Sequence, residues 1–297
     1  MTVGVLGPGG VGGFLAAALA RSGEDVLVVA RDETAEAITA GGLSVRSVIL
    51  GEFVARPAVT TTLTAPVDVL FVATKATGLE AALGRVSAAP GTVVPLLNGI
   101  DHLALLRDRF GPDRVPAAVI RIESDRPAPG VIVQTSPSCR IDLAGEPERT
   151  EAVRVMLDAA GIPVRIAAAG EADVMWSKLA RLCPLALTTS ASDRPLGYVR
   201  SDPRWRSALE GAIGETVSVA NADGAHLDPA DTLAELESAH AELGSSMQRD
   251  IAAGREPELD AIAGAVLRAG ARHERRCPTI QWLADRVANR AGVPWIL

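Results

Sequence analysis

Lysine is nearly missing from this chain: of its 29 basic residues only Lys75 and Lys178 are lysines, and the rest are arginines. Arginine stays protonated in proteins, whereas lysine gives up its proton readily when buried. A surface ion pair accepts either residue. The two positions that keep lysine are therefore candidates for proton chemistry; the alternative is that the arginine bias simply left them behind. Aromatic residues make up 3%, so the core must be built from Ala, Val, Leu and Ile. Cysteines are few, odd in number and scattered (Cys139, Cys183, Cys277). That excludes a disulfide framework and points to a reducing, cytoplasmic setting. The four histidines (His102, His226, His240, His273) lack metal-ligand spacing, so no metal site is expected. No apolar run reaches the roughly 18 residues of a membrane span, and the N-terminus has no basic n-region of a signal peptide. A net charge of -7 speaks against a nucleic-acid partner.

What is present is enough for two cores: 297 residues, 48% hydrophobic and 22% charged. The chain begins with a short apolar strand, Thr2-Val-Gly-Val-Leu-Gly7, that runs through Gly7-Pro8-Gly9-Gly10-Val11-Gly12 into a helical stretch, Phe14 to Arg21. Gly7, Gly9 and Gly12 have G-x-G-x-x-G spacing. The first serves the tight turn, the second the approach of backbone to pyrophosphate, and the third the packing of helix on strand. The helix offers its N-terminal amides to the phosphates. A strand before, a helix after and a second strand, Asp25 to Ala30, supply the context this motif requires. Arg31 follows that second strand. An arginine there suits the 2′-phosphate of NADP, while Asp32 and Glu33 are the alternative partners for an unphosphorylated ribose.

Further apolar runs, Asp68 to Thr74 and Val93 to Asn98, read as buried parallel strands, each followed by a helix (Gly78 to Val86, Asp101 to Arg109). The pattern predicts an α/β, Rossmann-type doubly wound sheet over residues 1–168. Lys75 and Asn98-Gly99 then fall at carboxyl ends of strands, where such sheets bind ligands. Between Arg121 and Ala144 the pattern resembles a hairpin, with Gly130–Gln134 and Cys139–Leu143 around a Thr-Ser-Pro-Ser turn. From residue 169 to 297 the periodicity is helical. Helices are expected at Glu171 to Ala191 (with Pro184 a possible kink), Arg204 to Asp223, Pro229 to Leu243, Leu259 to His273 and Thr279 to Arg290. Their apolar faces suit either a core or a homodimer interface.

Taken together these motifs resemble the ketopantoate reductase (2-dehydropantoate 2-reductase) family along essentially the whole chain. The resemblance implies an N-terminal NADPH-binding domain, a helical C-terminal domain that carries substrate and catalysis, and reduction of a small 2-oxo acid. For a member with that substrate it implies a place in pantothenate biosynthesis. Residue by residue, Gly7 to Gly12 match the phosphate loop, Arg31 the 2′-phosphate arginine and Lys75 the cofactor-side lysine. Asn98 matches the residue between nicotinamide and substrate, Lys178 the catalytic lysine, Ser246 the substrate-carboxylate serine and Glu258 the acid that completes the group. The chain departs from the pattern where asparagines usually follow: Leu182, Ala186 and Ala263 stand there, and a further one aligns loosely with Leu196. Losing such hydrogen bonds changes specificity, so the expected substrate is a ketopantoate-like or less polar carbonyl rather than ketopantoate at its best. Arg181, one turn beyond Lys178, is either a replacement carboxylate clamp or an ordinary exposed arginine.

In the expected mechanism Lys178 stabilises charge on the carbonyl oxygen and delivers a proton, with Glu258 holding it. The alternative is a non-catalytic NADP-binding sensor or partner-binding protein that keeps the fold. No G-x-S-x-G elbow supports a hydrolase.

Overall fold

The computed structural model describes residues 1–168 and 170–295. Ala169, where the second domain was expected to begin, lies outside the described residues. The chain divides into two compact units: Met1–Leu97 with His102–Val174, and Asn98–Asp101 with Met175–Leu297. The short turn that starts at Asn98 thus groups with the helices.

In chain order the first unit contains β1 (Thr2–Leu6), α1 (Gly10–Ser22), β2 (Asp25–Val29), α2 (Asp32–Gly41), β3 (Leu43–Ser47), β4 (Gly51–Ala55), β5 (Ala58–Thr60) and β6 (Val69–Val72). Next come α3 (Leu79–Leu83), β7 (Thr92–Pro95), α4 (His102–Phe110), β8 (Ala117–Arg121), β9 (Ser124–Ala128), β10 (Val131–Gln134), β11 (Arg140–Ala144), α5 (Pro147–Ala159) and β12 (Val164–Ile166). Five parallel strands form the main sheet in the order β5-β2-β1-β6-β7. The chain moves outward from β1 and then returns to β6, so the strand order reverses between β1 and β6, where Leu6 pairs with Val72. In sheets of this kind a ligand crevice opens at the carboxyl ends of such a pair. Helices cover both faces, and β6 shows why: Val69 and Phe71 enter one apolar cluster, Leu70 and Val72 the other. A strand buried on both sides must be apolar throughout.

The expected hairpin is a correction. β10 pairs with β3 and β9, whereas β11 pairs with β8 and β12. The connection is pinned by side chains instead. Gln134 Nε2 donates to Ser136 Oγ (2.9 Å), which donates to the Ser138 carbonyl (2.8 Å) and accepts from the Glu123 amide (3.0 Å). Those bonds turn the chain from one sheet into another.

The second unit is helical: most of α6 (Glu171–Ser192), then α7 (Leu196–Ser201), α8 (Pro203–Ala222), α9 (Pro229–Ser238), α10 (Ser246–Ala252), a π-helical turn over Asp260–Gly264, α11 (Ala265–Arg272) and α12 (Pro278–Ala291). Proline at the first helical position marks three of these starts, because the missing N–H is unbonded there anyway. Asp202 and Asp228 cap α8 and α9. Cys277 gives α12 no side-chain cap, and Glu215 of α8 accepts from the Thr279 and Ile280 amides at 2.8 and 2.9 Å. α9 stops short of the expected Leu243 because Arg200 takes the Leu236 and Ala239 carbonyls, both at 3.0 Å. Residues 241–243 then run against α7, with Gly197 and Leu196 donating to the Ala241 and Leu243 carbonyls. All three cysteines are free and buried. Among the described residues no helix is long and apolar enough to cross a membrane, and no group of side chains has a metal-holding arrangement.

Candidate active site

The glycine loop shows what each glycine is for. Gly7 has φ +89° and its absent Cβ would meet Thr74 Cγ2 at 2.7 Å, so both conformation and the neighbouring strand end demand glycine. A Cβ on Gly12 would run into the Gly7 carbonyl, and one on Gly10 into the Ser124 carbonyl. Gly9 is different: its Cβ would meet nothing within 4 Å. No packing inside the protein explains a glycine there, whereas a phosphate drawn up to the backbone does. α1 carries neither a side-chain cap nor an acid in its first turn, so its amides and positive end are left for an anion. Pro8 is buried and Val11 half-buried beside them. These residues fit a dinucleotide pyrophosphate.

Arg31 is exposed at the N-cap of α2, and Asp32 and Glu33 occupy that helix's first turn, where acids suit the positive end of the dipole. Lys75 is exposed three residues beyond β6. Two residues of β9 join this region that local sequence does not announce. Ser124 Oγ donates to the Gly10 carbonyl (2.8 Å), and Arg126 Nη1 donates to Thr34 Oγ1 (3.2 Å), setting a second guanidinium beside the first turn of α2. Their partners lie 114 and 92 residues away in the chain, so no spacing rule exposes them.

In the second unit the structure joins Asn98, Lys178 and Glu258. Lys178, half-buried on α6, donates from Nζ to Asn98 Oδ1 at 2.9 Å. Asn98 Nδ2 in turn donates to Glu258 Oε2 at 2.9 Å. An ammonium can only donate and a carboxylate only accept, so the amide's two ends match its two neighbours. Glu258 is 7% exposed, which removes it from the class of solvated helix-start acids. Gly99 makes the turn possible. Its φ is +83°, and a Cβ would strike the Ala261 carbonyl, part of the π-helical turn just beyond Glu258. Single π turns inside helices often mark functional segments.

Ser246 is half-buried at the first position of α10, and among the described residues no hydrogen bond links it to those three. Its neighbour Ser245 is structural: it caps α10 through the Gln248 amide (3.1 Å) and accepts from Thr189 Oγ1 (3.0 Å). Arg181 lies 2.9 Å from Glu235 of α9 as an ion pair, although its Nε–H is not aimed well enough for a hydrogen bond. The pairing commits the guanidinium to Glu235, which speaks against a carboxylate clamp, but the side chain is half-buried and so is not the exposed arginine of the alternative either. Leu182 is half-buried, while Ala186, Ala263 and Leu196 are fully buried.

Comparison with known proteins follows the same division. Residues 3–144 match the family model described as ketopantoate reductase PanE/ApbA, and residues 172–291 the model of its C-terminal part. A 2-dehydropantoate 2-reductase of Caulobacter vibrioides is 30% identical over 290 residues, covering 92% of this chain and 93% of that one. The solved 2-dehydropantoate 2-reductase of Geobacter metallireducens is 25% identical, with TM-score 0.88 over 97% of this chain and 99% of that one. The fold is also shared, at 21% identity and TM-score 0.87 over 98% of this chain and 99% of that one, with a D-mandelate dehydrogenase solved with NADH and anilino(oxo)acetate.

Proposed function

Because the chain belongs to the ketopantoate reductase family of oxidoreductases, we propose that it reduces a 2-oxo acid to the 2-hydroxy acid, with NADPH as reductant and Lys178 as proton donor. The observation that carries this reading is the bridge from Lys178 through Asn98 to Glu258. A protein that only bound a dinucleotide would have no use for a lysine and a buried carboxylate held on one amide.

When bound, the reduced nicotinamide supplies the hydride. The protein's share is orientation, charge and a proton. An ammonium carries three donors, one of which Lys178 gives to Asn98 Oδ1; in the proposed reaction the head group also donates to the substrate's carbonyl oxygen. As that oxygen gains negative charge, a fixed cation at hydrogen-bond distance stabilises it without reorganising, and the lysine then gives it the proton. Glu258 fixes the amide from its other side and supplies the opposite charge that keeps the cation in place. Ser246 is the remaining polar group assigned to the substrate carboxylate. The proposed preference for NADPH over NADH rests on Arg31 and Arg126 beside the start of α2 and on Lys75 beyond the end of β6, cations that suit the added charge of a 2′-phosphate.

The substrate's remaining group is less polar than that of ketopantoate. Leu182, Ala186 and Ala263 have no polar atoms with which to hold a hydroxyl, and leaving a buried hydroxyl unpaired costs about 1–3 kcal/mol. The mandelate dehydrogenase that shares the fold was solved with anilino(oxo)acetate. Of the three positions here Leu182 is half-buried and can meet an apolar group, while Ala186 and Ala263 are fully buried and act only through the packing behind it. The test is NADPH consumption with ketopantoate and with 2-oxo acids bearing alkyl or aryl groups, in wild type and Lys178→Ala. Turnover of an apolar 2-oxo acid that vanishes in the variant is the expected result. Efficient reduction of ketopantoate above all others would overturn the apolar assignment. Tight NADPH binding without consumption by any carbonyl would favour the sensor alternative.

A further inference from the structure

Arg268 of α11 makes no part of the Lys178–Asn98–Glu258 group, yet it grips the two segments that deliver two of its members. Its Nε and Nη2 donate to Asp101 Oδ2 at 3.1 and 2.7 Å. Nη1 donates to Asp260 Oδ1 at 2.6 Å, and Nη2 also reaches Asp260 Oδ2 (3.2 Å) and the Asp260 carbonyl (3.1 Å). Asp101 closes the turn that Asn98 opens. Asp260 follows Glu258 by two residues and begins the π-helical turn. Space is kept free for this contact: a Cβ on Gly264 would strike Asp260 Oδ1 and lie 2.8 Å from Arg268 Nη1. The same two segments also meet through the close approach of Gly99 to the Ala261 carbonyl.

We propose that Arg268 is a positioning residue for carbonyl reduction: its guanidinium locks residues 98–101 to residues 258–264 and so aims Asn98, and through it the Lys178 ammonium. The proposal rests on the reductase reading above. A planar fork with several donors can hold two carboxylates in fixed geometry, which a lysine ammonium cannot do as well. Side chains of Arg268, Asp101 and Asp260 are 36%, 43% and 72% exposed. Ion pairs this exposed add little to stability, so removing the clamp should leave the protein folded. What it disturbs is distance within the site, to which catalysis responds steeply.

The experiment compares wild type, Arg268→Met and Arg268→Lys by steady-state kinetics over a range of pH, thermal melting, and hydrogen exchange of the peptide that contains residues 98–101. In Arg268→Met, kcat should fall roughly ten- to a hundredfold and the basic limb of the pH profile should move, with KM for NADPH and the melting temperature nearly unchanged. Exchange at 98–101 should quicken, and Arg268→Lys should restore part of both losses. Wild-type kcat and pH profile in Arg268→Met overturn the proposal; so does a loss of kcat with no gain in exchange. If wild type reduces no 2-oxo acid, the reductase reading falls by itself. The clamp is then judged on exchange alone, and unchanged protection at 98–101 overturns it.

Discussion

Asn98 does at the scale of one residue what neither charged partner can do alone. Its amide accepts from a cation and donates to an anion, each at 2.9 Å, so the Lys178 head group is held by something that can itself neither lose nor gain a proton near neutral pH. In the proposed reaction, lysine at 178 is a matter of chemistry as well as charge. Arginine there would remain a cation and a donor but could not give up its proton. Lys178→Arg should therefore keep substrate affinity while kcat falls by about 10²–10⁴, measured as separate effects on KM and kcat. Arg31 offers the parallel case for the cofactor. Arg31→Ala should raise KM for NADPH on the order of tenfold, the effect of one lost charge-assisted contact of about 1.4 kcal/mol, and leave KM for NADH unchanged. Equal effects on both cofactors would remove Arg31 from the 2′-phosphate. Sequence alone does not assemble this group: Asn98 lies 80 residues from Lys178 and 160 from Glu258. Only the family resemblance names the three together, and only the fold makes the amide the link between them.

At the scale of the element, two glycines of the same site regions make opposite demands. Gly9 has φ -77° and open space where a Cβ would go. Gly9→Ala should fold with wild-type stability and lose dinucleotide affinity, as measured by cofactor titration. Gly99 has a left-handed backbone and no room beside Ala261. Gly99→Ala should cost about 1–3 kcal/mol from backbone strain alone, read as a drop in the denaturation midpoint, before any effect on turnover. The glycine loop was legible because its spacing sits between a strand and a helix, and Gly7 and Gly12 answer to neighbours close in sequence or at the adjacent strand end; the demand on Gly10, which comes from Ser124 of β9, was not. The parallel strands were legible because burial on two faces leaves an unbroken apolar run. The false hairpin was not, since each strand has other partners than its expected mate: β10 pairs with β9 and the distant β3, and β11 with β8 and β12. α9 ends early for the same reason, its last carbonyls being taken by Arg200, 36 and 39 residues away. The helix predicted from Leu259 begins instead with π-helical turns, a change of hydrogen bonding that apolar periodicity does not record.

For the molecule as a whole, composition set firm limits. Few aromatics left the cores to aliphatic side chains, and the buried clusters around the parallel sheet are built mainly from Val, Leu, Ile and Ala, with Phe14, Phe71, Met156 and Cys139. Division into two units also distributes the cysteines. Cys139 belongs to the first unit, Cys183 and Cys277 to the second. Burial pushes the Cys139 and Cys183 thiols up to about 12 and that of Cys277 to about 11. A thiolate is the reactive form, so at neutral pH the folded protein should scarcely react with a thiol reagent. Labelling must wait for the chain to open, and mass spectrometry of the labelled peptides identifies which part opened. Mild denaturant should bring Cys183 and Cys277 into reaction together, and Cys139 at the same concentration only if both units melt as one. The natural sequence thus carries its own set of unfolding reporters, one placed in the cofactor sheet and two in the helices, with no residue needing to be introduced.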